Sequence, residues 1–179
     1  VTFLNHGSFG ACTKVVMDEY VQFQYQLENQ PVHFIQNEVP ELLRLSRLKL
    51  ADFLGTSSND IVLIDNPTTA INEIIRSLDL SMEDEIITTD HEYGAMNNAW
   101  EFITEKNGST YKQVELPFPI GSSDDVLDIM KKNFTEKTKI LFISHITSPT
   151  GMIFPVKELC QYAREHNVLT IVDGAHAPG

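Results

Sequence analysis

The hydrophobic positions change period part-way along the chain. Between Val15 and Leu27 apolar residues recur every three or four positions, at Val15, Val16, Met17, Tyr20, Phe23 and Leu27. The same spacing returns from about Glu38 to Phe53 with Leu42, Leu43, Leu45, Leu48 and Leu50. Each stretch predicts an amphipathic helix, and Gly55 supplies a stop for the second. Beyond Gly55 short apolar runs take over. Ile61–Asp65, Glu85–Thr89, Thr110–Leu116, the run from Lys139, and the run from Val168 to Asp173 read as strands. Between them, Thr69–Leu80, Gly94–Lys106, Ser122–Phe134 and Pro155–His166 read as helices. Ser122-Ser123-Asp124-Asp125 has the composition of a helix cap, and Pro155 suits a first-turn position because no partner is needed there for its missing N–H.

Strand and helix in alternation, joined by short turns, predict an α/β fold: a mostly parallel sheet with helices on both faces. Residues 1–55 are expected to form an amino-terminal helical segment and residues 56–179 the α/β domain. No internal repeat, low-complexity stretch or linker marks a further boundary.

Charge and composition narrow the partners. The chain has 179 residues and a net charge of −12, from 13 basic and 25 acidic side chains. That balance argues against nucleic acid and against an anionic membrane surface. No apolar run reaches the roughly 18 residues needed to cross a bilayer, and no secretory leader is read. Cys12 and Cys160 lie far apart without metal-type spacing, which fits a reducing, cytoplasmic setting. Two matches to the glycosylation pattern, at Asn107 and Asn133, carry little weight without a leader.

The candidate chemistry gathers in four turns at strand or helix ends. Leu169-Thr170-Ile171-Val172 runs into Asp173, then Gly174-Ala175-His176-Ala177-Pro178-Gly179. A carboxylate ending an apolar strand is costly to bury without a cation or donor, and a protonated ring nitrogen is one such partner. The run from Lys139 to His145 opens into Thr147-Ser148-Pro149-Thr150-Gly151, which also reads as an ordinary turn. Asp65-Asn66-Pro67-Thr68-Thr69 precedes a helix, where hydroxyls and unpaired amides suit a phosphate or serve only as an N-cap. Asp90-His91-Glu92-Tyr93 follows a strand, and its aromatic rings could stack on a flat ligand or form a solvated surface turn. A metal centre drawn from Asp90, His91, Glu92, His145, Asp173 and His176 lacks any tight ligand spacing. There is no G-x-G-x-x-G after the first strand, no G-x-S-x-G elbow and no Walker lysine.

Taken in order, L-N-H-G-S-F-G, N-P-T-T-A-I-N, D-H-E-Y-G-A, S-H-I-T-S-P-T-G and V-D-G-A-H-A-P-G resemble the class V aminotransferase group of pyridoxal-phosphate enzymes, of fold type I. The pattern is most similar to isopenicillin N epimerase-like members, which are related to cysteine desulfurases and C–S lyases. The resemblance implies pyridoxal 5'-phosphate as cofactor and a small amino acid as substrate, transformed through a carbanion by epimerisation, C–S cleavage or desulfuration. It implies that Thr68 and Thr69 hold the phosphate, that His91 stacks on the ring, and that Asp173 pairs with the protonated ring nitrogen. His176 would lie near the phenolic oxygen, and Asn5 and His6 on an amino-terminal segment that reaches the site. Ser148 stands where several relatives have an asparagine that binds the phenolic oxygen. The lysine that anchors the cofactor, the arginine for the substrate carboxylate and the smaller domain are all expected past Gly179. The chain thus reads as the amino-terminal part of a homodimeric enzyme, inactive alone. The alternatives are a non-enzymatic domain of the same fold and a metal-dependent hydrolase.

Overall fold

The structure, a computed structural model, describes Thr2 and residues 10–178. Asn5, His6 and Gly179 lie outside the described residues. The chain divides into two compact units, Val1–Ile64 and Asp65–Gly179.

In the first unit, helix α1 (Lys14–Asn29) stops at Gln30, whose backbone leaves the helical region, and Pro31 opens the short α2 (Pro31–His33) at a position where its missing N–H is harmless. A π-helical turn, Phe34–Glu38, leads into α3 (Val39–Leu54). Phe34 is buried, its ring 6.3 Å from that of Phe23. Gly55 ends α3 with φ 68°, a left-handed conformation that a Cβ would strain.

The expected strand at Ile61–Asp65 is not formed. Ile61 is buried, but Val62 is 83% exposed, and among the described residues no neighbouring strand pairs with this run. An apolar run becomes a strand only when a second chain segment completes its hydrogen-bond ladder.

The second unit opens with α4 (Pro67–Ser77), capped by Asn66 Oδ1, which accepts from the Thr69 amide at 2.8 Å. Then follow β1 (Glu85–Thr89), α5 (Gly94–Asn107), β2 (Thr110–Val114), α6 (Ser123–Asn133), β3 (Thr138–Ser144), α7 (Val156–Glu165) and β4 (Leu169–Asp173). The strands form one four-stranded sheet in the order β2-β1-β3-β4, every pairing parallel. Ser122 caps α6 by accepting from the Asp125 amide at 3.2 Å. Asp124 and Asp125 in its first turn and Lys131 and Lys132 in its last complement the helix dipole.

The strand alternation sorts the core into two layers. Ile87, Leu141 and Ile143 face α6 and α7 through Val126, Met130, Leu159 and Ala163. Their neighbours in sequence, Ile86, Ile140 and Phe142, face the other way, onto Ile71 and Ile75 of α4 and Met96 and Trp100 of α5. Burying each such side chain is worth about 1.5–3 kcal/mol. Covered on both faces, β1 and β3 read as continuous apolar runs, as buried parallel strands do.

The direction of α4 matters for the site. Just past its end, the Asp79 carbonyl accepts from Lys139 Nζ at 2.8 Å, and Lys139 lies at the start of β3. The end of α4 therefore sits at the amino edge of the sheet. The 11-residue α4 and the five-residue strand β1 each run about 16 Å, so the helix start, with Thr68 and Thr69, is directed toward the carboxyl edge.

Candidate active site

Because all strands are parallel, the turns after β1, β3 and β4 emerge along one edge. Open α/β sheets bind their ligands there.

After β1, the chain turns through Asp90–Tyr93. The Asp90 amide donates to the Val114 carbonyl at 3.1 Å, and Asp90 Oδ1 accepts from the Leu116 amide at 3.1 Å, which ties the turn to the end of β2. His91 is buried, with its ring centroid 6.5 Å from Phe118 and 6.2 Å from Phe154, the latter edge-on at 76°. Its Nδ1 lies 3.5 Å from the Thr150 hydroxyl and its Nε2 3.6 Å from Asp90 Oδ1.

After β3, the chain doubles back through a loop. Ile146 and Ile153 form an antiparallel bridge, and the Phe154 amide donates to the His145 carbonyl at 2.9 Å. Inside the loop, Thr147 Oγ1 lies 2.6 Å from Thr150 Oγ1 and accepts from the Met152 amide at 3.0 Å. This stitching presents Thr150 to His91 and leaves Ser148 exposed.

At the end of β4, Asp173 is buried, and its Oδ1 accepts from the Ala175 amide at 3.0 Å. Among the described residues no Lys, Arg or His pairs with it. The Ala177 amide donates to the Gly174 carbonyl at 2.9 Å and closes the turn that carries the half-buried His176.

At the start of α4 the two threonines differ. Thr69 donates both its amide and its hydroxyl to Asn66 Oδ1, at 2.8 and 3.1 Å, whereas the Thr68 hydroxyl has no partner among the described residues. Asn66, not a threonine, supplies the cap. His91 and Asp173 lie on turns joined through β3, and His91 meets Thr150 directly. Ser148, His176 and Thr68 lie at the same edge without a side-chain hydrogen bond to the other candidates among the described residues. No three His, Cys, Asp or Glu side chains gather as a metal site among those residues.

From the sequence, Glu92 is a candidate only as a metal ligand or as a solvated charge of a surface turn, and the structure gives it a different place. Glu92 is 4% exposed. Its Oε1 accepts from the Thr89 hydroxyl at 2.7 Å, and its Oε2 accepts from the Ser144 amide at 2.9 Å and from the Ser144 hydroxyl. Burial pushes this carboxyl up to about 7, and the charge of Asp173 adds to the rise, against the pull of the Ser144 and Thr89 hydrogen bonds. Burial, with the Glu92 charge behind it, also raises the phenol of Tyr111, whose hydroxyl donates to Asn97 Oδ1 at 2.7 Å. The signal available in sequence was the spacing of Thr89 and Glu92 across a tight turn.

A pH dependence follows. The unfolded Glu92 carboxyl ionises near its ordinary 4.5, the folded one near 7, so the folded state holds the extra proton between them. Stability is present in full below about 4.5 and falls as pH rises through about 7. Denaturant midpoints of the protein at pH 5 and pH 8 should show this fall, and Glu92→Gln should flatten it. An unchanged slope in that variant would assign the fall to other groups.

Comparisons with known proteins identify the family and the fold. The family profile Aminotransferase class-V matches residues 6–179. The chain belongs to the class V aminotransferase family. Isopenicillin N epimerase of Amycolatopsis lactamdurans is 36% identical over 182 residues, covering 100% of this chain and 46% of that protein. L-cysteine desulfhydrase of Arabidopsis thaliana is 27% identical over 194 residues, covering 100% of this chain and 43% of that protein. A solved structure of a C-DES mutant, with glycine covalently linked to its pyridoxal-phosphate cofactor, superposes with a TM-score of 0.87 at 26% identity, over 98% of this chain and 47% of that one. The chain spans about half the length of the curated relatives it matches.

Proposed function

We propose that this chain builds the cofactor cradle of a pyridoxal-phosphate enzyme that transforms a small amino acid by epimerisation, C–S cleavage or desulfuration. The observation that carries the reading is Asp173. It is a buried carboxylate at the carboxyl edge of a parallel sheet, held by one backbone amide and paired with no cation among the described residues. A buried charge in that condition calls for a cationic partner, and a protonated pyridine nitrogen meets the need.

The other groups fit the same ligand. The open hydroxyl of Thr68 and the start of α4 suit a phosphate, while Thr69 remains engaged in the cap. The His91 ring, on the turn after β1, is the group for stacking, and His176 and Ser148 supply polar groups on the turns after β4 and β3. When bound, pyridoxal phosphate supplies an electron sink for a carbanion on the substrate. The chain's own residues orient the ring through His91 and keep its nitrogen protonated through Asp173. The buried Phe154 backs the His91 ring edge-on.

The anchoring lysine and the arginine for the substrate carboxylate are expected past Gly179. The whole protein is proposed to act as a homodimer. The exposed apolar side chains of α1, Val15 and Tyr20 among them, support an apolar contact. Among the described residues no helix is long and apolar enough to cross a membrane.

The test is cofactor binding by the whole protein. Protein incubated with pyridoxal phosphate and desalted should keep the visible absorbance of bound cofactor, and that absorbance should change on adding amino acids. Protein that retains no cofactor would remove this reading and leave a non-enzymatic domain of the same fold.

A further inference from the structure

The turn between β1 and α5 holds a carboxylate that the proposed function leaves unused. Glu92 is 4% exposed while the next residue, Tyr93, is 48% exposed. One side chain at the end of β1 thus closes over the end of β3, 52 residues further along. Ser144, its partner there, is the last residue of β3 and stands in register with Asp173, the last residue of β4. The following amide, that of His145, donates to the Asp173 carbonyl oxygen at 2.8 Å. On its other side Glu92 is bonded in sequence to His91. A single buried carboxyl therefore lies between the His91 turn and the strand pair that carries Asp173.

We propose that Glu92 is a positioning residue: its carboxyl ties the His91 turn to the joined ends of β3 and β4 and so holds His91 and Asp173 in one frame around the cofactor ring. The proposal rests on the pyridoxal-phosphate reading given above. An apolar side chain here would leave the Ser144 amide without an acceptor in a buried place. The bridge does not depend on charge. A protonated carboxyl can still accept from Ser144 on one oxygen and donate to Thr89 with the other, because the threonine hydroxyl is free to turn. A carboxyl pushed up to about 7 fits that tolerance. Glutamine can make the same contacts, its oxygen toward Ser144 and its amide toward Thr89.

The test uses the whole protein and its Glu92→Ala, Glu92→Gln and Ser144→Ala variants. The measurements are pyridoxal-phosphate affinity by absorbance titration and the induced circular dichroism of the bound cofactor. Glu92→Ala is expected to weaken affinity about tenfold or more, a loss of the size that broken buried hydrogen bonds produce, and to diminish the induced ellipticity. Glu92→Gln should restore both to near the wild-type values. Wild-type affinity and ellipticity in Glu92→Ala would overturn the proposal. Equal damage in Glu92→Gln would also overturn it, by showing that charge and not the bridge is what matters. Should Glu92→Ala fail to fold, Ser144→Ala removes the hydroxyl half of the bridge and keeps the backbone-amide half at 2.9 Å; a smaller loss of affinity and ellipticity there supports the role, and unaltered values refute it. A wild-type protein that binds no pyridoxal phosphate would refute the functional reading itself. Wild-type binding that the Glu92 variants share would refute only the bridge.

Discussion

Asp173→Asn is expected to slow turnover of the whole enzyme by roughly ten- to a hundred-fold or more while the fold stays in place. The two side chains have nearly the same volume, and an asparagine oxygen can keep the bond that Asp173 Oδ1 accepts from the Ala175 amide at 3.0 Å. The backbone link from the His145 amide to the Asp173 carbonyl does not involve the side chain at all. What the substitution removes is the negative charge. In a buried setting the loss of a charge-assisted hydrogen bond costs about 1.5–3 kcal/mol. Applied to the transition state, that range corresponds to the stated loss of rate. The measurements are steady-state turnover, cofactor content and the thermal midpoint. A variant with bound cofactor and near-normal turnover would make Asp173 a structural residue. A variant that has lost the fold would make the comparison one of stability rather than chemistry.

Much of the second unit was legible because its local signals agree with one another. Ile86-Ile87 and Ile140-Leu141-Phe142-Ile143 are apolar at every position, as strands covered on both faces must be, and both became central strands. Ser122 ahead of two acids marked the start of α6, and its hydroxyl caps that helix. The failures share a different cause. Ile61–Asp65 has the composition of a strand, but strand formation is a property of two segments, and composition names only one of them. The π-helical turn at Phe34–Glu38 shifts the hydrogen-bond partner by one residue, so the Val39 amide meets the Phe34 carbonyl without any break in apolar spacing. In the site, the residue types were readable and their surroundings were not. Thr68 and Thr69 look equivalent in the sequence, yet Asn66 engages the donors of only one. Glu92 sits between a histidine and a tyrosine in a polar turn, which describes a solvated acid equally well. Its burial depends on Ser144, which lies on another strand.

The second large effect is expected at Phe142, where Phe142→Ala should destabilise the protein by about 3–5 kcal/mol. Phe142 is wholly buried in β3, its ring 5.7 Å from that of Trp100, in the layer that α4 and α5 close with Ile71, Ile75 and Met96. Helices on one side and a central strand on the other leave little freedom to collapse into the space of a lost ring, so the cavity adds to the lost burial. Native domains hold only about 5–15 kcal/mol in total, so this single change would remove a large part of the reserve. Leu169→Ala in β4 provides the contrast, because Leu169 is 50% exposed and its truncation should cost about 1 kcal/mol or less. Urea unfolding of the two variants measures the difference. Similar midpoints would mean that the layer around Phe142 is not the packed core described here. A large gap would locate the stability of the unit in the strand that also carries Ser144 and His145 to the carboxyl edge. Loosening Phe142 should then disturb the Ser144 contact to Glu92 and, through His145, the backbone of Asp173, so cofactor affinity should fall together with stability.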